Sequence, residues 1–151
     1  MPVEREEQDE QETATRRILV VEDDRSHRWV LRRVLENSFG DEVLVEEASC
    51  GADGLARARR RPAVDLILLD LNLPDMSGFE VLRHLRAEPK TRGVPVVVLT
   101  SSQENDDVRR AYECGANSFV SKSQNPEQMI RQLRLLPVYW LDLNRLPAAE
   151  G

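Results

Sequence analysis

Two apolar runs in this chain end abruptly in acid. Ile18-Leu19-Val20-Val21 passes directly into Glu22-Asp23-Asp24, and Val64-Asp65-Leu66-Ile67-Leu68-Leu69 passes into Asp70. Short, continuous, branched apolar runs suit strands buried on both faces, the habit of a parallel sheet covered by helices. Ligands bind beyond the carboxyl ends of such strands. If the two strands are neighbours, Glu22, Asp23 and Asp70 converge there, and clustered carboxylates repel one another unless a cation or protons intervene. A hard divalent ion such as Mg2+ suits oxygen donors of this kind.

The rest of the chain repeats the pattern. Strand-like runs at 17–22, 43–47, 64–70, 94–100 and 118–121 alternate with segments whose apolar residues recur at helical spacing. These are Val30, Leu31, Val34 and Leu35, then Leu55 with Ala58, then Val81, Leu82 and Leu85, then Val108, Ala111 and Tyr112. Asn125-Pro126-Glu127 reads as an N-cap with proline at the first helical position, opening a last helix through Met129, Ile130 and Leu133. Five strands alternating with five helices predict an α/β fold, a doubly wound five-stranded parallel sheet flanked by five helices, with right-handed crossovers. A length of 151 residues suits one such domain.

Composition narrows the function classes. Residues 1–15 hold Glu4, Glu6, Glu7, Asp9, Glu10 and Glu12 against a single arginine, Arg5, and read as a disordered acidic tail. A net charge of −6 argues against sequence-independent binding to a phosphate backbone. Cys50 and Cys114 are too few and too far apart for a disulfide framework or a metal knuckle. Neither a membrane-spanning stretch nor a secretory signal pattern is evident, so the expected location is the cytoplasm.

Four separated elements then carry a family resemblance: Ile18 to Asp24, Leu68-Leu69-Asp70-Leu71-Asn72-Leu73-Pro74-Asp75-Met76-Ser77-Gly78, Leu99-Thr100-Ser101, and Gly115-Ala116-Asn117 with Lys122. Over residues 16–135 the chain resembles the receiver domain of bacterial two-component response regulators, a flavodoxin-like fold. The resemblance implies that Asp70 is the nucleophile that takes a phosphoryl group from a phosphohistidine on a sensor histidine kinase, forming an acyl phosphate. It implies Mg2+ held by Asp23, Glu22, Asp70 and the backbone carbonyl of Asn72, offsetting the repulsion between carboxylate and phosphoryl group. Lys122 is expected to pair with Asp70 at rest and with phosphoryl oxygens afterwards, and Thr100 to donate its hydroxyl to the phosphate. Such a chain is a phosphoacceptor rather than an enzyme, its only catalysis being its own phosphoryl transfer and hydrolysis.

Thr100 and Phe119 form a candidate switch, in which movement of the hydroxyl toward phosphate makes room for the ring; an immobile core phenylalanine is the other reading. Asp24 is expected to cap the first helix, and Pro74 to Gly78 to form a turn into a helix. His27 and His84 stand apart from the carboxylate motifs in sequence and read as surface or helix residues. One departure concerns Lys122-Ser123. Receivers usually place proline after the lysine with a cis bond, and a cis bond without proline costs about 3 kcal/mol. A haloacid dehalogenase-type enzyme needs a second Asp two residues after the nucleophile, where this chain has Asn72. A phosphorylation-independent pseudo-receiver stays open as an alternative, opposed by Glu22, Asp23, Asp70 and Thr100.

Residues 136–151 form an apolar extension where a linker and DNA-binding domain would otherwise stand, so the expected output is protein to protein. Its Tyr-Trp-Leu and Leu-Asn-Arg-Leu-Pro segments resemble those of small regulators that serve phytochrome-type histidine kinases. Tyr139, Trp140, Leu141 and Leu143 are candidates for a homodimer interface, the alternative being that the extension folds back on its own domain.

Overall fold

The computed structural model describes residues 15–147. The expected acidic tail therefore lies outside the described residues except for Thr15, as do the last four residues of the extension. The strands are β1 (Arg16–Val21), β2 (Val43–Ala48), β3 (Leu66–Leu69), β4 (Val96–Thr100) and β5 (Ser118–Ser121). The helices are α1 (Arg25–Phe39), α2 (Gly51–Ala58), α3 (Gly78–Ala87), α4 (Asn105–Glu113) and α5 (Pro126–Pro137). All five strands are parallel, in the order β2-β1-β3-β4-β5.

Alternation along the strands divides the core into two layers. Leu19, Val21, Ile67, Leu69, Val96 and Val98 pack with Leu55, Phe79, Leu82, Leu85 and Ala111, the apolar stripes of α2, α3 and α4. Ile18, Val20, Leu66, Leu68, Val97 and Leu99 face the other way, against Leu31 and Leu35 of α1 and Leu133 of α5. With helices on both sides, the central strands carry no polar face, which explains their unbroken apolar sequences.

The ends of the elements follow local chemistry. Asp24 caps α1 by accepting from the His27 amide at 3.0 Å, and Asn125 caps α5 by accepting from Glu127 at 2.9 Å. β3 and β4 are shorter than their apolar runs. Asp65 is drawn into a paired contact with Arg17, and Pro95 has no N–H to give a ladder.

The chain beyond α5 differs from the expected boundary. The helix runs to Pro137 and continues as a wide π-type turn over Val138–Leu143, closed by Asn144 donating to the Tyr139 carbonyl. Pro137 lacks the N–H that would sustain the α ladder, and widening the turn accommodates that loss. The same turn rotates Trp140 inward. It is 9% exposed, in the layer shared by Leu31, Leu35 and Leu133, with Leu136 and Leu141 packed alongside. The expectation that Trp140 is an interface residue is corrected: its indole is committed to its own domain. Tyr139 and Leu143 stay 50% and 68% exposed, as do Leu135 and Leu146 at 61% and 46%.

Candidate functional site

The sheet order makes β1 and β3 neighbours, with Val21 opposite Leu69. The next residue on each strand is therefore an acid beside an acid. The ladder continues one step further, since Glu22 N–H donates to Ala48 and Asp70 N–H to Val21, each at 3.0 Å. Glu22 and Asp70 are buried and Asp23 is exposed, with a carboxylate oxygen from each lying within 4.8 Å of the others. Three carboxylates with one open side suit a hard divalent cation, which offsets the repulsion that burial makes costly.

Lys122 reaches this cluster from the far edge. It follows β5, and its own N–H donates to the Thr100 carbonyl at 2.7 Å. The side chain is almost wholly buried, with Nζ 2.8 Å from Glu22 Oε2 and 3.6 Å from Asp70 Oδ2. The expected resting partner was Asp70, yet the shorter bond goes to Glu22. Glu22 is the most deeply buried of the three acids, and a buried anion needs compensation most. Burial, followed by the neighbouring Asp70 carboxyl, pushes Glu22 up to about 7 against the opposing pull of Lys122.

Thr100 ends β4, next to the strand that bears Asp70, and is fully buried. Among the described residues its Oγ1 accepts a long hydrogen bond of 3.5 Å from the Ser102 amide, which leaves the hydroxyl proton free to turn toward a ligand. Phe119 is half-buried, resting against the layer beneath α2, α3 and α4. Asn72 follows Asp70 in an exposed loop, its amide 3.4 Å from Asp70 Oδ1. That loop is held close to the strand end by Gly78, where any Cβ would meet the Asp70 carbonyl at 2.5 Å and Leu71 Cα at 2.7 Å. Asp75 secures it from the other side by accepting the Gly51 and Ala52 amides at the start of α2, each at 2.8 Å. The Lys122-Ser123 bond is not cis; among the described residues the cis peptide is Arg61-Pro62.

His27 corrects the expectation that it stands apart from the carboxylates. Its Nδ1 lies 3.4 Å from Lys122 Nζ and 3.8 Å from Glu22 Oε1. The signal was present, because a residue in the first turn of a helix that directly follows a strand end stands over that strand end. His84, in contrast, lies in the last turn of α3.

Parallel strands delivering acids, a hydroxyl and a lysine to one end of the sheet define a receiver. Residues 18–134 match the response regulator receiver domain family, and the chain belongs to it. It is 36% identical over 141 residues to the response regulator Rcp1 of Synechocystis, covering 87% of this chain and 93% of that protein. The crystal structure of the phosphorylated cyanobacterial phytochrome response regulator RcpA is similar, with TM-score 0.80 and 31% identity over 89% of this chain and all of that one. The Mn2+-bound form of Rcp1 gives TM-score 0.75 and 33% identity, over 88% of this chain and 99% of that one.

Proposed function

We propose that this chain is a response regulator that accepts a phosphoryl group on Asp70 from a sensor histidine kinase and passes the signal on through protein contacts. The observation that carries this reading is the set of three carboxylates within 4.8 Å of one another, with Lys122 against two of them. A carboxylate nucleophile needs no activation by a base, but it must approach an anionic phosphoryl group. Glu22, Asp23 and Asp70, with the Asn72 carbonyl, would hold Mg2+, and the bound ion would supply the positive charge that permits the approach. Lys122, a compact ammonium between Glu22 and Asp70, is placed to exchange a carboxylate partner for a phosphoryl oxygen without moving its backbone. The Thr100 hydroxyl donates to a second oxygen, and Phe119 takes up the space it leaves.

Likeness to the cyanobacterial phytochrome response regulator RcpA, over 89% of this chain and all of that one, supports a phytochrome as the kinase. The exposed Leu135, Tyr139, Leu143 and Leu146 support homodimerisation through α5 and the extension, with Trp140 as the inward anchor that fixes their presentation. A cytoplasmic location agrees with this role, and no helix among the described residues is long and apolar enough to cross a membrane.

Incubation with Mg2+ and an acyl phosphate donor, followed by intact mass measurement, tests the reading. The wild type gains one phosphoryl group and Asp70→Asn gains none, because the amide is not nucleophilic. Equal gain by both proteins moves the site elsewhere; no gain by the wild type, even with a histidine kinase present, favours the pseudo-receiver.

A further inference from the structure

Lys122 lies at the edge of the sheet, where a side chain of such consequence has the least backbone to support it. β5 is an edge strand, so residues beyond Ser121 lack a neighbouring strand on their outer side. The inner side is held by the Lys122 amide donating to Thr100. On the outer side, the support comes from a side chain. Gln132, half-buried on α5 beside the core residue Leu133, donates from Nε2 to the Ser121 carbonyl at 3.1 Å. Its Oε1 accepts from the Ser123 amide at 3.2 Å.

These two bonds go to the residues immediately before and after Lys122. The Gln132 amide presents an N–H donor and a carbonyl acceptor in one plane, as a strand residue does, so it takes the place of the missing strand partner. Ser123 is tied further, its hydroxyl donating to Gln128 Oε1 at 3.0 Å and accepting from the Asn125 amide at 3.2 Å. The backbone that launches the lysine is thereby gripped between β4 and α5.

We propose that Gln132 is a positioning residue for Lys122: its amide clamps the peptides on either side of the lysine and so sets where the ammonium meets the transferred phosphoryl group. The inference rests on the proposed phosphoacceptor role of Asp70. Gln132 touches no reacting atom and acts only through the placement of Nζ. Misplacing a reacting group by about 1 Å can cost on the order of 100-fold in rate. The clamp also ties the site to α5, the helix that leads to the exposed Tyr139 and Leu143.

The test is a double-mutant cycle on the full chain, comparing wild type, Gln132→Leu, Lys122→Ala and the double variant. The readout is the phosphorylation rate at saturating acyl phosphate donor and saturating Mg2+. Gln132→Leu is expected to slow the saturating rate by about 10-fold or more. In the Lys122→Ala background the same substitution produces no further slowing, because its effect passes through the lysine. An equal proportional loss in both backgrounds shows a merely structural role and overturns the inference, as does an unchanged rate in Gln132→Leu. Should Gln132→Leu fail to fold, Gln132→Glu serves in the same cycle, since it keeps the acceptor for Ser123 and loses the donor to Ser121. A wild type that takes no phosphoryl group overturns the phosphoacceptor reading and the role of Gln132 with it. A phosphorylated wild type with an indifferent Gln132 overturns the clamp alone.

Discussion

Neutralising Asp70 is expected to stabilise the metal-free protein even as it destroys the proposed function. The three carboxylates lie within 4.8 Å of one another. At an effective dielectric constant of about 20, a pair at that distance repels by roughly 3.5 kcal/mol. Asp70→Asn removes two such repulsions and one attraction, that of Lys122 at 3.6 Å, worth roughly 4.5 kcal/mol on the same scale. The balance favours the amide by about 2 kcal/mol, less whatever the exposed Asp23 loses to solvent screening. In a chain of this length that is an increase of about 4–8 °C in melting temperature. Thermal unfolding in chelator at pH 8 and low salt measures it. The pH matters because Glu22 holds its proton up to about 7 in the folded state, well above its ordinary 4.5. The folded protein then binds more protons than the unfolded chain between those values, so metal-free stability falls as pH rises from 4.5 toward 7. At pH 6 the advantage of Asp70→Asn is smaller than at pH 8, and saturating Mg2+ raises the wild type more than the variant. A variant that melts at or below the wild type in chelator at pH 8 refutes the picture of an electrostatically strained cluster.

The other predictions concern what surrounds the site. Trp140→Ala opens a cavity in the layer under α1 and α5 and is expected to cost about 3–5 kcal/mol in urea unfolding. Tyr139→Ala, at an exposed position, leaves monomer stability within about 0.5 kcal/mol but weakens any self-association seen by sedimentation. The Ala52 and Gly51 amides hold the Asp75 carboxyl below its ordinary 3.8, so its contribution is present above that value and lost as pH falls below it. Asp75→Asn should therefore flatten the acid limb of the stability profile while leaving the neutral plateau lower, as followed by circular dichroism. Asp24→Ala, which deletes the α1 cap, is expected to lower the unfolding midpoint in the same urea assay.

The fold was legible because its constraints are local and repeated. The last four residues of β1 and all of β3 are buried, as a parallel sheet covered on both faces requires. The acids at the ends of those runs announced the site for the same reason, since a carboxylate directly past a strand buried on both faces calls for a cation or a proton beside it. What stayed hidden needed distances in space. Nothing in Lys122 tells which of two acids it prefers, because the choice between Glu22 and Asp70 depends on their relative burial, with Glu22 100 residues away in sequence. Trp140 read as an interface residue because it stands in an apolar, aromatic run past the last helix, and aromatic anchors of that kind are common at interfaces. Its actual fate was set by Pro137, which widened the helix and turned one side chain of the cluster inward.

Gln132 shows the same limit from the other side. A glutamine in a helix at a half-buried position is ordinary in sequence and acquires meaning only from the register of α5 against the end of β5. The contrast with Gly78 is instructive. Glycine there is demanded by a backbone approach that no side chain permits, so the residue type itself carries the information. Gln132 carries no such signal in its residue type. Its two hydrogen bonds matter only if Lys122 must stop at a particular place. Residues that define the chemistry are therefore found by type and spacing, whereas residues that aim the chemistry are found by what they hold. Here that is the pair of peptides on either side of one buried ammonium.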